Sequence, residues 1–210
     1  MAVRAETIAL ASGERRRLVR RAQILAWASL AWMTAEGVVA VTAGILAGSI
    51  ALIGFGIDSA IEGIASVIII WRFWGARAMS ERAERRAQKL VAVQFFVLAP
   101  YVGIEAVRTL VTSSEPQVSY LGIGLTAVSA VFMPFFGIAK QRVAVRLNSR
   151  ATMGEGAQNM LCAYLSVAVL AGLALNAALG WWWADPLAAL VIAGVAVREG
   201  LEAWRGEDCC

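Results

Sequence analysis

Two acidic residues, Asp58 and Glu62, stand in one of the most apolar stretches of the sequence. The segment SIAL precedes them and IASVIII follows, so the whole stretch predicts a helix that spans a membrane. Because the two residues are four positions apart, their carboxyl groups share one helical face. Asp58 lies about eight residues from the start of this span, which places it roughly 12 Å deep, and Glu62 lies nearer the midplane.

Inserting this pair of acids into a membrane costs free energy, and this cost indicates that the pair has a function. An acidic side chain inside a membrane costs about 2.5 kcal/mol or more on insertion scales. Two anions so close would also repel each other unless a proton or a cation lay between them. The pair therefore favours a cation or proton pathway. The alternative is an ion pair with an arginine of another helix, but Arg72, Arg108 and Arg198 all lie near span ends, where they can reach water.

A second polar face follows about a hundred residues later, in the segment EGAQNMLCAY. Glu155, Gln158 and Cys162 are spaced by three and four positions, so they share a helical face. Cys162 offers a thiolate, a soft ligand for zinc or cadmium, and Gln158 offers a weaker carbonyl oxygen. A cysteine alone in a membrane helix is usually packing material. Opposite two acids, however, it becomes a candidate metal ligand.

These residues must be positioned by membrane helices. Hydrophobic residues make up 60% of the 210 residues and charged residues only 16%, which is typical of a membrane protein. We expect an all-α membrane protein, in which a six-helix domain at 23–204 lies between a basic cytoplasmic tail at 1–22 and a short cytoplasmic tail at 205–210. The six predicted spans are residues 23–47, 50–74, 90–111, 118–139, 153–179 and 185–204.

The basic residues predict how these spans are oriented. Arginine and lysine are concentrated in the N-terminal tail and in the connections after the second and fourth spans, whereas the other three connections contain none. Cytoplasmic loops carry such an excess, so both termini are predicted to be cytoplasmic. We assign Lys140, Arg142, Arg146 and Arg150 to the connection between the fourth and fifth spans. The basic runs are explained by topology and anionic lipid, so no nucleic-acid partner is expected.

Other polar and small residues in the spans have more than one interpretation. Glu36, near the middle of the first span, is either an accessory ligand or proton relay, or a hydrogen-bonded structural partner. Glu105 is expected to pair with Arg108, one turn later. Cys209 and Cys210 are expected in a disordered tail. The glycines of the first two spans should allow these helices to pack closely; they are Gly37, Gly44, Gly48, Gly54, Gly56 and Gly63.

The segments SIALIGFGIDSAIEGIAS and ADPLAALVIAGVAVREGLEAWR make the chain similar to the cation diffusion facilitator family. The resemblance implies six helices, a homodimer, and a metal site built from two residues on helix two and two on helix five. Asp58 and Glu62 match the helix-two motif. Gln158 and Cys162 occupy the positions where members carry histidine and aspartate, and Glu155 lies where an acid is common one turn earlier. The expectation is a short member without the C-terminal cytoplasmic domain.

The resulting functional hypothesis is export of a divalent metal, with zinc first, in exchange for protons. Asp58, Glu62, Gln158 and Cys162 would hold the metal, which is the substrate, and no cofactor is expected. Iron(II), manganese or cobalt as the main substrate remains open, as does a regulatory relative that does not transport. A proton-coupled exporter of organic cations is a further alternative. Catalysis that depends on histidine is excluded because the sequence contains no histidine, so we predict no enzyme. The expected location is a bacterial inner membrane.

Overall fold

The computed structural model describes the backbone of residues 2–47, 50–112 and 120–205, and the long elements within these ranges are six α-helices. A short 3-10 helix, Gly75–Met79, lies between the second and the third. The α-helices are α1 (Ala2–Ala47), α2 (Ile50–Arg72), α3 (Glu81–Thr112), α4 (Tyr120–Leu147), α5 (Arg150–Leu179) and α6 (Ala184–Arg205). Each predicted span corresponds to one of them, which confirms the all-α, six-helix prediction.

Several helices are long and apolar enough to cross a membrane. Among the described residues, three stretches meet this requirement by length and composition, namely Gly13–Ala43, Glu81–Thr112 and Ile123–Leu147. They belong to α1, α3 and α4, and each contains an 18-residue segment with a mean hydropathy of 1.6 or above. The fold is therefore that of an integral membrane protein. Cys209 and Cys210, like the start of the fourth predicted span, lie outside the described residues.

The helices extend further than the predicted spans, and this changes one assignment. α4 continues to Leu147, so Lys140 lies inside a helix and not in a connection. Its side chain is fully buried because α5 supplies polar partners for the ammonium group. α4 ends where Asn148 adopts a left-handed conformation (φ 51°). Ser149 then begins α5, and its hydroxyl oxygen accepts a hydrogen bond from the N–H of Thr152.

Glycine pairs allow the site helices to approach closely. α1 packs mainly on α2, and α4 on α5, while α3 packs on α6. A Cβ atom on Gly56 of α2 would lie 3.0 Å from the carbonyl oxygen of Gly37 in α1. A Cβ atom on Gly156 of α5 would lie 3.1 Å from the carbonyl oxygen of Gly137 in α4. The predicted close packing of α1 and α2 is confirmed at Gly37 and Gly56.

One end of the bundle collects many of the arginines, and we call it the basic end. There the Arg72 guanidinium at the end of α2 binds the carboxylate of Glu84 in α3, with a nitrogen–oxygen distance of 2.6 Å. The other oxygen of Glu84 accepts hydrogen bonds from the Ser149 hydroxyl (2.9 Å) and the Ala151 N–H (3.0 Å) at the start of α5. Arg146, near the end of α4, pairs with Glu14 in α1. The start of α1, the end of α2, the start of α3 and the α4–α5 connection therefore meet.

Candidate metal site

Asp58, Glu62 and Cys162 meet inside the bundle. One carboxylate oxygen from each acid and the Cys162 sulfur all lie within 4.8 Å of one another. Asp58 and Glu62 come from successive turns of α2, and Cys162 comes from the facing part of α5. Helical spacing predicted the two polar faces and the family resemblance implied that they meet, and the structure places the two segments side by side.

The three residues of this cluster are buried, and three of the four carboxylate oxygens lack hydrogen-bond partners in the part of the chain that the structure describes. Asp58 is 6% exposed, Glu62 is 2% exposed and Cys162 is 1% exposed. Among the described residues, Oδ1 of Asp58 and both carboxylate oxygens of Glu62 have no hydrogen-bond partner. Such atoms cost several kcal/mol in an apolar interior when nothing satisfies them. The cluster is therefore suited to a ligand that supplies positive charge or protons.

Gln158 is the fourth predicted ligand, one turn before Cys162 on α5. Its side chain is 1% exposed, and its amide oxygen and nitrogen both lack a hydrogen-bond partner within the described part of the chain. Gln158 shares a helical face with Cys162.

The two predicted accessory acids have other partners. Glu36 of α1 accepts a hydrogen bond from the hydroxyl of Ser59 (3.1 Å) and another from the hydroxyl of Ser129. These bonds link α1 to both α2 and α4. Glu155 accepts a hydrogen bond from the ammonium group of Lys140, at 2.8 Å. Neither acid belongs to the group of three. The structure thus supplies the hydrogen-bonded role that was one of two interpretations of Glu36.

Lys140 is a charged residue that the sequence interpretation misplaced. Its ammonium group also donates a hydrogen bond to Oδ1 of Asn159, at 2.7 Å. The amide nitrogen of Asn159 in turn contacts the sulfur of Met133, at 3.6 Å. Glu155 and Asn159 are four residues apart, and this i, i+4 pair of oxygen acceptors on α5 was the available signal for a buried cation.

An apolar shell surrounds Cys162. Met33 of α1 and Met133 and Phe136 of α4 pack with Cys162 and Ala163 in one buried cluster. Beside this cluster, the rings of Trp32 and Phe132 stack with centroids 4.9 Å apart. These side chains exclude water, and a dry environment strengthens the interaction of a cation with the carboxylates.

The distances within the cluster are compatible with a bound zinc ion. Zinc bonds of about 2.0–2.3 Å in a tetrahedron place neighbouring donor atoms roughly 3.3–3.8 Å apart. Donor atoms that lie within 4.8 Å of one another need to move closer by about 1.5 Å at most. Side-chain rotation can supply such a shift. Two acids and one cysteine also leave the fourth position of a tetrahedron for an amide oxygen or a water molecule.

An internal repeat relates the two halves of the site. An ungapped shift of 100 residues pairs Asp58 with Gln158 and Glu62 with Cys162. The same shift aligns pairs of identical residues, among them Leu25 and Leu125, Ser29 and Ser129, Met33 and Met133, Gly37 and Gly137, Gly56 and Gly156, and Ser66 and Ser166. The two glycine contacts described above are therefore equivalent. This signal identifies the α5 ligand positions independently of any family motif.

The repeat is inverted in the structure. α1 starts at the basic end, where Arg15 of its early part contacts the carbonyl oxygen of Ala78, whereas α4 finishes at that end. A shorter echo, GIEAVRTL at 103–110 and GLEAWRG at 200–206, relates α3 to α6. Helices α1–α3 and α4–α6 thus form two related halves that run in opposite directions, and each half provides two of the four candidate ligands.

The sequence is also similar to a known protein family and to individual known proteins. The model of the cation efflux transmembrane domain matches residues 26–205. A protein of Synechocystis sp. (strain ATCC 27184 / PCC 6803 / Kazusa) named as an uncharacterized transporter, sll1263, is 28% identical over 153 residues, which cover 69% of this chain and 49% of the relative. Transmembrane protein 163 of Xenopus laevis is 22% identical over 152 residues, covering 72% of this chain and 54% of the relative.

A third relative, MamV of Paramagnetospirillum magneticum (strain ATCC 700264 / AMB-1), is also named as a transporter. It is 33% identical over 121 residues, which cover 52% of this chain and 36% of MamV. The matches thus span about half or less of the length of these relatives.

Proposed function

Because the chain belongs to the cation efflux family, we propose that it carries a divalent metal cation across a membrane in exchange for protons. The observation that supports this most is the group of three buried ligand residues, Asp58, Glu62 and Cys162, with ligand atoms within 4.8 Å of one another. Carboxylate oxygens without hydrogen-bond partners in a dry interior need a cation or protons to compensate their charge.

Proton exchange follows from the chemistry of the ligands. A thiol and a carboxylic acid must lose their protons before they bind a metal strongly. Metal and protons therefore compete for the same atoms of Asp58, Glu62 and Cys162. When the site faces one side of the membrane it binds metal and releases protons, and when it faces the other side it takes up protons and releases metal. The inverted repeat is the kind of architecture that supports this alternating access.

Zinc is the substrate that the ligand set favours. The thiolate of Cys162 prefers zinc or cadmium, and carboxylates also bind zinc in tetrahedral sites. Iron(II), manganese or cobalt would be preferred if oxygen atoms dominated the coordination, with Gln158 and water completing it. No resident cofactor is part of the proposal, since the metal is the cargo. The proposed location is a bacterial inner membrane, and the proposed assembly is a homodimer.

The decisive experiment is metal and proton flux in proteoliposomes. Purified protein is reconstituted, and zinc, cadmium, iron(II), manganese and cobalt are supplied in turn across an imposed pH gradient. We expect zinc flux that is accompanied by proton movement in the opposite direction and is lost in Asp58→Asn. Zinc that binds the purified protein but does not cross the membrane would instead indicate a regulatory relative. Zinc flux that is independent of the pH gradient and moves no protons would contradict the proton coupling.

A further inference from the structure

The second half of the bundle contains a buried positive charge that the proposed metal chemistry does not use. Lys140 is 0% exposed, and its ammonium group binds the Glu155 carboxylate at 2.8 Å and the Asn159 amide oxygen at 2.7 Å. The internal repeat pairs Lys140 with Ala40, Glu155 with Phe55 and Asn159 with Ser59. The first half therefore has no equivalent of this charged cluster, so the repeat architecture does not require it.

The position of this cluster along the helices is informative. Cys162 packs beside Met133 of α4, at the level of the metal ligands. Lys140 lies seven residues beyond Met133 towards the basic end, about 10 Å further along α4. Glu155 lies seven residues before Cys162, again about 10 Å towards the basic end along α5. Along α4 and α5, Lys140 and Glu155 thus lie between the candidate metal ligands and the basic end, and Asn159 lies on α5 between Gln158 and Cys162.

A cavity lies at the basic end, beside the parts of α4 and α5 that lead to this cluster. A cavity of about 280 Å³ lies there among α3, α4, α5 and α6. Ser149, Met153 and Gly154 contribute to its lining from the first part of α5. The next residue, Glu155, is 1% exposed and is held by Lys140. Along α5, Glu155 therefore lies between the residues that line the cavity and Cys162, and along α4 Lys140 lies between Ala144 of the lining and Met133.

From this arrangement we propose that Lys140, held by Glu155 and Asn159, is the barrier between the metal site and the basic end, and that it acts on the passing cation through its charge. The proposal rests on the metal-transport function above. A divalent cation on this path passes within a few ångströms of the Lys140 ammonium. While Lys140 is paired with Glu155 the two charges largely cancel, and the pair mainly blocks the path. If either partner is removed, the remaining charge attracts or repels the cation.

The test uses Cys162 as a reporter of access from the basic end. Cys209 and Cys210 are replaced by serine, which leaves Cys162 as the sole thiol of a chain with three cysteines. Membrane vesicles that expose the basic end are treated with two methanethiosulfonate reagents of similar size, one carrying an ammonium group and one uncharged. The measured quantity is the ratio of the two labelling rates of Cys162. Glu155→Gln, Lys140→Met and the double variant are compared with this background.

The three variants should change the ratio in a defined order. Lys140→Met leaves a carboxylate and should raise the ratio of ammonium to uncharged labelling about tenfold, because one unit charge about 10 Å away is worth roughly that factor. Glu155→Gln leaves a lysine and should lower the ratio by about the same factor. The double variant should label faster with both reagents and keep the ratio of the background protein. The exposed ion pair of Glu81 and Arg85 provides the control, since Arg85→Met should change nothing.

A purely structural role for the pair would give a different result. Loosened packing would raise labelling by both reagents equally in every variant and leave their ratio unchanged, which would overturn the proposal. Size-exclusion chromatography identifies variants that do not fold. If Lys140→Met does not fold, the change in the labelling ratio of Glu155→Gln is sufficient to test the sign of the effect. Because labelling needs no metal flux, a charge-dependent ratio without zinc transport in proteoliposomes would refute the transport function and not the barrier.

Discussion

Replacing Asp58 by asparagine tests the metal site directly. The change keeps the shape of the side chain and removes one charge from a group whose ligand atoms lie within 4.8 Å of one another. A bound ion lies closer than 4.8 Å to the carboxylate, and even at 4.8 Å, with an effective dielectric constant of about 20, one carboxylate attracts a divalent ion by roughly 7 kcal/mol before the costs of desolvation and deprotonation are subtracted. Loss of one partner of a buried charge pair costs about 3–5 kcal/mol in practice. We therefore expect the zinc dissociation constant to rise at least about a hundredfold.

The same variant should release fewer protons when zinc binds. In the wild-type protein, binding should displace about one to two protons, and the affinity for zinc should rise with pH accordingly. Below the pH at which the site acids are protonated, transport should slow because protons occupy the ligand atoms. Asp58→Asn removes one of these acids, so the proton number should fall by up to one. Folding stability should hold or increase because the repulsion between Asp58 and Glu62 is relieved.

Calorimetry in two buffers of different ionisation enthalpy measures both quantities. The difference in binding heat gives the number of protons released, and the isotherm gives the dissociation constant. Glu105→Gln is the matched control, because Glu105 is a half-exposed acid of α3 that pairs with Arg108 at 3.7 Å, which confirms the predicted local pair. Zinc binding by Asp58→Asn within threefold of wild type, with unchanged proton release, would refute the assignment of Asp58 as a ligand.

Three further predictions follow from the same geometry. Cys162→Asp should lower the affinity for cadmium most, lower that for zinc less, and leave that for manganese equal or higher. Cys162→Ser should lose cadmium binding without any gain in manganese binding. Equal cadmium dissociation constants for the wild type and both variants would exclude Cys162 as a ligand. Gly56→Ala places a Cβ atom 3.0 Å from a backbone oxygen of α1 and should destabilise the protein by about 1–3 kcal/mol in thermal unfolding, while Gly194→Ala, with nothing within 4 Å, should be neutral or slightly stabilising. Glu84→Gln should destabilise the protein by about 3 kcal/mol or more because it removes the carboxylate partner of the buried Arg72. Glu81→Gln, at an exposed ion pair, should have little effect. Equal shifts of the unfolding temperature in both variants would contradict this prediction.

The helices and the central part of the site could be predicted from the sequence because their signals are local. Six long apolar segments predict six helices, and the i, i+4 spacing of Asp58 and Glu62 places both acids on one face without knowledge of the packing. The pairing of that face with Cys162 required a second signal from α5. The spacing of Glu155, Gln158 and Cys162 supplied this signal, although it did not distinguish which of the three lie nearest to the acids.

The burial of Arg72 and Lys140 could not be predicted because it depends on partners distant in sequence. Arg72 ends a helix, as expected, but it is buried because Glu84 of the next helix pairs with it. Lys140 follows an apolar run and precedes three arginines, so hydropathy alone assigns it to a connection. Its burial depends on two oxygen acceptors of α5, 15 and 19 residues later in the chain. A hydropathy scale uses the average free-energy cost of burying a lysine, so it cannot predict a lysine whose burial is offset by two specific partners.

The two halves of the inverted repeat supply candidate ligands of different chemistry, and charge balance gives a reason for the difference. Asp58 and Glu62 are the candidate hard oxygen ligands of the first half, and the second half offers Gln158 and Cys162 at the equivalent positions. If both halves carried the acids of the first, four carboxylates would meet in a dry interior, and their repulsion would favour protons over metal. An amide and a thiol in the second half keep two acids as the main source of charge. The difference between the halves thus allows one divalent cation to balance the site, and it places the soft ligand on the helix that also carries Glu155, the partner of Lys140.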